Sequence, residues 1–303
     1  MRMLYAEPSS EERWPGARMS SDLKFGTSGL RGLAVELDGR PAYAYSLAFA
    51  RVLLARGAVS PGDRVLIGRD LRPSSPSIAA TCGEGLRAAG LEPVDCGELP
   101  TPALAAEAIA IDRPAIMVTG SHIPEDRNGL KFYRGDGEID KDDEGAIVAE
   151  EGKVTGDAPS ARAPLAADGA ALRRYRERSL GLLPAGALSG MRVGVYQHSA
   201  VGRDLFVEIL QAFGAQVVPL GRSDVFVPVD TEALRPEDRE LGLRWAREHA
   251  LDAIVSSDGD SDRPLIADET GNFLRGDLVG AVTASALGAD CVVTPVSSNS
   301  GIE

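Results

Sequence analysis

Three aspartates alternate with small residues in Asp258-Gly259-Asp260-Ser261-Asp262-Arg263, directly after the apolar run at 251–255. In an extended or looped backbone, carboxylates at i, i+2 and i+4 can converge on one point. At ~5 Å separation and an effective dielectric of ~20, each pair of such charges repels by roughly 3 kcal/mol. A cation between them removes that penalty, and an all-oxygen donor set favours Mg²⁺ or Ca²⁺. The plainer alternative is a solvated acidic turn. An EF-hand loop would also use Asp258, Asp260 and Asp262, with Glu269 at its twelfth position. Its sixth position needs glycine and is Arg263 here, Pro264 follows, and the entering segment reads as a strand, so that reading fails.

A second polar loop, Thr119-Gly120-Ser121-His122-Ile123-Pro124, follows the apolar run Ala115-Ile116-Met117-Val118. Gly120 allows a tight bend that sets Ser121 at a strand end, where its hydroxyl could react. A plain turn serine is the alternative. A Ser-His-Asp hydrolase fits poorly, because His122 adjoins the serine and cannot easily turn to deprotonate it. His198 and His249 lie in other contexts, and G-x-S-x-G is absent. Asn128-Gly129 turns the chain into a strand that returns Lys131 beside Ser121. A lysine whose pKa is lowered by burial or a second cation can stabilise phosphoryl charge or move a proton, whereas an exposed strand lysine does neither. A third loop, Lys24 to Gly32, interleaves glycines and hydroxyls with Arg31, a donor-rich arrangement suited to oxyanions. Gly68-Arg69-Asp70 with Arg72, Ser74 and Ser75 either braces the serine loop or caps the next helix.

These loops need a scaffold, and the apolar pattern supplies one. The 303 residues are 44% apolar and 25% charged, ordinary values for a globular chain. Strands are predicted at 64–68, 91–96, 115–118, 191–196, 215–220 and 251–255, and helices at 78–89 and 203–213, with Gly90 and Gly214 as helix stops. Each strand, Gly-Arg loop, helix, glycine and strand makes a right-handed α/β unit. A third copy is expected to begin with a strand at 291–296. The Ala-, Gly- and Pro-rich stretch at 151–171 reads as a linker. Residues 1–20 read as a disordered leader, with Met19 an alternative start. Residues 21–160 and 161–276 then form two units, and 277–303 open a third that is cut short.

With 32 basic against 45 acidic residues the net charge is −13, which disfavours nucleic acid and anionic membrane surfaces as main partners. Three cysteines without a pairing pattern suit a reducing, cytoplasmic setting. No apolar run reaches the ~18 residues of a membrane span.

Taken together, the loops resemble the α-D-phosphohexomutase superfamily, most closely its bacterial phosphomannomutases. The opening motif is Phe25-Gly26-Thr27-Ser28-Gly29-Leu30-Arg31-Gly32, the phosphoserine loop is residues 119–124 followed by Asn128-Gly129-Leu130-Lys131, and the metal loop is residues 258–263. The resemblance implies mixed-sheet α/β domains, two complete and a third begun, from a four-domain enzyme built around a cleft. It implies that Ser121 carries the phosphoryl group and ligates Mg²⁺ through it, with Asp258, Asp260 and Asp262 as the other ligands. Arg31, Lys131 and Arg263 would assist phosphoryl and proton transfer, and His122 would support the loop. The implied reaction interconverts mannose 6-phosphate and mannose 1-phosphate through a hexose 1,6-bisphosphate. A phosphoglucomutase or a non-catalytic sugar-phosphate-binding fragment are the alternatives. Ile123 stands where the family usually has asparagine. The sugar-selecting loop and phosphate clamp are not among these residues, so weak mutase activity is expected. Oligomeric state is not legible.

Overall fold

Two apolar runs, Val65-Leu66-Ile67 and Ala115-Ile116-Met117-Val118, lie side by side as buried parallel strands covered on both faces. The computed structural model describes residues 23–26, 29–295 and 298–299. The expected leader at 1–20, and Thr27 and Ser28 of the opening motif, lie outside the described residues. The first unit begins with β1 (Lys24–Gly26), β2 (Gly29–Leu33), α1 (Ala34–Leu37), α2 (Arg40–Ala55), β3 (Arg64–Arg69), α3 (Ser75–Ala88) and β4 (Glu92–Glu98). It continues with α4 (Thr101–Ala110), β5 (Ala115–Val118), β6 (Arg127–Arg134), β7 (Gly137–Glu138), α5 (Lys141–Glu151), β8 (Ala166–Ala167) and α6 (Ala170–Leu180).

Its sheet is mixed, in the order β1-β2-β6-β5-β3-β4-β8, with β7 beside β6. Strands β5, β3, β4 and β8 run parallel, while β6 returns antiparallel to β5 with Met117 opposite Lys131. Successive strand residues face opposite sides. Ile67, Ile116 and Phe132 therefore join Phe49, Ile78 and Leu86 in one core, and Leu66, Met117 and Tyr133 join Leu99 and Leu104 in the other. Gly85 of α3 lets α2 approach closely, because a Cβ there would sit 2.5 Å from the Tyr43 carbonyl oxygen.

The second unit contains β9 (Arg192–Tyr196), α7 (Arg203–Ala212), β10 (Gln216–Leu220), α8 (Pro236–His249), β11 (Ala253–Ser257) and β12 (Pro264–Ala267). The sheet order is β10-β9-β11-β12, parallel except for the β11–β12 hairpin that carries the acidic loop. Tyr196, Trp245, Leu251, Ile254 and Leu265 fill its core. His198 is fully buried there, and its Nε2 lies 2.9 Å from the carbonyl oxygen of Ser257, the last residue of β11. Burial, reinforced by the nearby Arg203 and Arg235 charges, pushes the imidazole down to about 4, so it is neutral and donates to that carbonyl.

Two expectations need correction. The stretch at 151–171 is not a free tether: α5 reaches Glu151, and β8 pairs with β4, so the first sheet gains a strand beyond residue 160. No strand forms at 291–295; residue 296 lies outside the described residues. A strand needs a neighbour to accept its backbone hydrogen bonds. Here Val292 and Val293 are exposed, beyond a final helix α9 (Gly276–Ala286) whose Leu278 and Val282 also face solvent. No helix among the described residues is long and apolar enough to cross a membrane.

Gly→Ala in a helix interior ordinarily stabilises by ~1 kcal/mol. Gly85→Ala is expected instead to destabilise the first unit by ~1–3 kcal/mol in urea unfolding, because the added methyl meets the α2 backbone. His198 gives a second test. Its folded pKa lies below the unfolded value of 6.5, so its contribution is fully present above pH 6.5 and is lost as pH falls toward about 4. That loss amounts to about 3 kcal/mol. Chemical denaturation across this window should show it for the second unit, and His198→Gln should flatten the slope.

Candidate active site

Ser121 sits where β5 ends, and its own backbone makes the sharp turn, with φ of +53°. The bend expected at Gly120 is thus displaced by one residue. Gly120 is required for room: a Cβ there would lie 2.6 Å from the Arg72 guanidinium carbon. Arg72 has no exposed side-chain surface and donates to the carbonyls of Ser121, Ile123, Pro124 and Arg127 at 2.6–3.1 Å. Its Nε meets Asp70 at 3.2 Å. Asp70 also accepts from the hydroxyls of Ser75 and Thr119, and Thr119 accepts from the Ser121 amide. Ser74 makes no side-chain cap on α3, and both Ser74 and Ser75 accept from the Asn128 amide at 2.9 Å. Of the two readings of residues 68–75, the brace is correct. At position 123 the loop uses the backbone, since the Ile123 amide donates to Gly120 and its carbonyl accepts from Arg72.

The acidic loop faces this turn from the second unit. The Ser121 hydroxyl donates to Asp258 Oδ2 at 2.5 Å. A Cβ on Gly259 would lie 2.7 Å from the Ser121 carbonyl oxygen, so only glycine permits the approach. Thr101, opening α4, donates its amide to the Asp260 carbonyl and its hydroxyl to Asp260 Oδ2, at 2.9 and 2.6 Å. Thr101 was not singled out from sequence. The Arg263 backbone closes the loop, its amide on the Asp258 carboxylate and its carbonyl accepting from the Asp258 amide.

Lys131 is buried, not an exposed strand lysine, and its ammonium bridges Asp260 Oδ2 at 2.9 Å and Asp262 Oδ2 at 2.7 Å. Burial alone would lower its pKa, but the charges and hydrogen bonds of the two carboxylates outweigh burial and raise it. The lowered pKa that would let a lysine here move a proton is therefore not met. Lys131 stands as a fixed positive charge. The same forces divide the aspartates. Burial and then the charges of Asp260 and Asp262 hold the Asp258 carboxyl well above the usual range. Burial would do the same to Asp260, but the Lys131 ammonium, with help from Thr101, holds it below.

His122 also departs from expectation. Its Nδ1 lies 3.2 Å from Ser121 Oγ, because the left-handed turn at Ser121 swings the two side chains together. Burial and then the charges of Arg263 and Arg31 push its pKa down, leaving a neutral ring whose Nδ1 can accept a proton. No carboxylate hydrogen-bonds this ring among the described residues, so a hydrolase triad is still not formed. Arg31, paired through its strand with Gly129, and Arg263, whose guanidinium meets Glu232 at 3.1 Å, are thus near enough for their charges to act on the His122 ring from two units. Ser121, His122, Lys131, Asp258, Asp260 and Asp262 gather at one locus.

The donor set suits a hard divalent cation. Asp258, Asp260 and Asp262 each offer an oxygen within 4.8 Å of the others, compatible with oxygen coordination of Mg²⁺ or Ca²⁺. Asp260 Oδ1 is buried and has no hydrogen-bond partner, although Oδ2 of the same carboxylate has two. An oxygen in that position could serve as a ligand atom to a cation.

Residues 22–155 match the model of phosphoglucomutase/phosphomannomutase, alpha/beta/alpha domain I, and residues 179–271 match that of domain II. The chain is 54% identical over 284 residues to a phosphomannomutase of Sinorhizobium fredii, covering 92% of this chain and 60% of that relative. It is 46% identical over 282 residues to a phosphomannomutase of Salmonella muenchen, covering 93% of this chain and 58% of the relative. The chain therefore spans about three fifths of the length of these relatives. A phosphoglucomutase/phosphomannomutase family protein of Burkholderia thailandensis shares the fold, with a TM-score of 0.69 at 24% identity over 87% of this chain and 59% of that one. Matching both domains in order around the serine and acidic loops, the chain belongs to the phosphoglucomutase/phosphomannomutase family.

Proposed function

We propose that these two domains form the phosphoryl-transfer half of a phosphomannomutase that interconverts mannose 6-phosphate and mannose 1-phosphate. The observation that carries this reading is the 2.5 Å contact between Ser121 Oγ and Asp258 across the two units. On this proposal the hydroxyl works against a metal-suited carboxylate cluster that also holds Lys131, and Arg31 and Arg263 would add positive charge nearby. In this reading the phosphorylated Ser121 gives its phosphoryl group to a sugar hydroxyl. The P–Oγ bond breaks as the sugar oxygen bonds phosphorus, the sugar hydroxyl loses its proton, and Oγ regains one. Asp258 Oδ2 and His122 Nδ1 both stand within hydrogen-bond reach of Oγ to handle that proton. A hexose 1,6-bisphosphate results, and transfer of its other phosphoryl group restores the phosphoserine.

Asp258, Asp260, Asp262 and an oxygen on Ser121 would hold Mg²⁺, which when bound supplies positive charge against the transferring phosphoryl oxygens. Lys131 bridges Asp260 and Asp262 in the same locus and offsets one of their two negative charges. Phosphomannomutase is preferred to other hexose specificities because the relatives at 54% and 46% identity carry that name. The phosphorylated hexose is the partner in this reading, and a cytoplasmic setting suits it. The sugar-selecting loop and phosphate clamp implied by the family resemblance are not among these 303 residues, so turnover of mannose 1-phosphate by the chain alone is expected to be weak.

Incubation of the chain with glucose 1,6-bisphosphate and Mg²⁺ should yield a phosphopeptide carrying Ser121, detected by mass spectrometry, and none from Ser121→Ala. An unmodified serine under these conditions overturns the proposal. Thr101→Val, which removes the hydroxyl on Asp260, should weaken Mg²⁺ binding by ~10–100-fold in calorimetric titration, as losses behind a metal ligand do.

A further inference from the structure

Arg72 is one of the largest fully buried side chains in the molecule, and every donor it has is used within the first unit. Its five guanidinium hydrogens meet Asp70 and the carbonyls at 121, 123, 124 and 127. The flat face of the guanidinium has a partner from elsewhere. Its central carbon lies 4.0 Å from the centre of the Phe226 ring, which belongs to the second unit, in the segment between β10 and α8. Phe226 is buried although its neighbour Val225 is exposed, so the segment turns this one side chain inward. Paired contacts between Val227 and the Ser199 hydroxyl hold the segment in place. The same ring also borders the metal loop, since a Cβ on Gly259 would lie 2.9 Å from its Cζ.

We infer that Phe226 is a positioning residue: seated on the Arg72 guanidinium and against Gly259, it ties the second unit's metal loop to the first unit's serine loop and so sets Ser121 Oγ against Asp258. A buried guanidinium with saturated donors can take a further partner only through its π face, where a desolvated aromatic contact is strongest. Arg72 in turn governs four carbonyls of the serine loop, so a displacement of Phe226 reaches the turn at Ser121 through one side chain. This inference deepens the proposed function, since it assumes that the Ser121–Asp258 juxtaposition is the working arrangement.

The test compares the 303-residue chain with Phe226→Leu, which keeps an apolar group but loses the ring, and Phe226→Trp, which keeps a π face. Amide hydrogen exchange at residues 119–123 and the Mn²⁺ dissociation constant are measured, with exchange in β3 and β9 as the control for folding. Phe226→Leu should exchange ~10-fold faster across 119–123 and bind Mn²⁺ ~10-fold more weakly, while the control strands are unchanged; Phe226→Trp should retain wild-type values in both. A Leu variant equal to wild type in loop exchange, or a folded Trp variant no better than Leu, overturns the inference. Should wild type fail to bind Mn²⁺, the proposed function is what falls, and exchange at 119–123 still decides the role of Phe226.

Discussion

The site depends on the electrostatic cost of burying Asp258 and Asp260 beside Asp262. Carboxylates this close cannot all remain charged without positive charge among them. The chain answers in part with Lys131, whose single positive charge bridges Asp260 and Asp262 from the first unit and offsets one of their two negative charges. Asp258 has no such cation and keeps its affinity for a proton, and it is the aspartate that receives the serine hydroxyl. Two neighbouring carboxyls are thus pushed in opposite directions by their surroundings, a pattern typical of sites that do acid–base or metal chemistry. The remaining deficit of positive charge is what a divalent cation would supply. It also explains why the two units meet here: the lysine and the serine come from one sheet and the carboxylates from the other.

Much of this arrangement was legible before the structure. Short apolar runs, with glycine stops on the helices between them, placed β3, β4, β5, β9, β10 and β11 to within two residues. The spacing of Asp258, Asp260 and Asp262 indicated convergence, since alternate residues in a looped strand end share a side. Lys131 does return on a strand antiparallel to β5, but the turn expected at Asn128-Gly129 comes earlier, between Pro124 and Arg127. Asn128 and Gly129 already lie inside β6, paired with β2, and Lys131 stands opposite Met117. What composition could not reveal was the direction of the lysine shift, which depends on carboxylates more than 125 residues away in sequence.

The residues that were missed share a cause. Thr101 acts on Asp260 from a distance of 159 positions, and nothing in Pro100-Thr101-Pro102 refers to a partner. Phe226 lies in a segment with no helical or strand period, and its ring is informative only once Arg72 is beneath it. Arg72 itself was read as a possible brace because it follows a strand end, yet its hold on four carbonyls of one loop needed the fold. The misplaced bend is similar. Glycine is the obvious residue for a left-handed turn, but at Gly120 the missing side chain makes space for a guanidinium, and the unusual backbone falls on Ser121. The strand expected at 291–296 failed at 291–295 for a different reason: a β-compatible run becomes a strand only beside another one.

Backbone strain supports the same picture. Among the described residues, five non-glycine positions have positive φ: Asp112, Ser121, His198, Ala250 and Ser261. Asp112 and Ala250 follow helices, where a left-handed residue is a common terminator. The other three lie in the serine loop, behind the acidic loop and within it. Such conformations cost of order 1–3 kcal/mol each and persist only where the surroundings over-determine them. At Ser121 the surroundings are Arg72, Thr119 and Asp258; at Ser261 they are the Ser257 hydroxyl and the Gly202 amide. His198 is held by its own bond to Ser257 and by Arg203 and Ser223 on its carbonyl. A fold needing only to be stable would relax these turns with glycine or asparagine. At the first of these, the left-handed serine backbone brings one hydroxyl within hydrogen-bond reach of both Asp258 and His122, the placement that the proposed phosphoryl carrier would need.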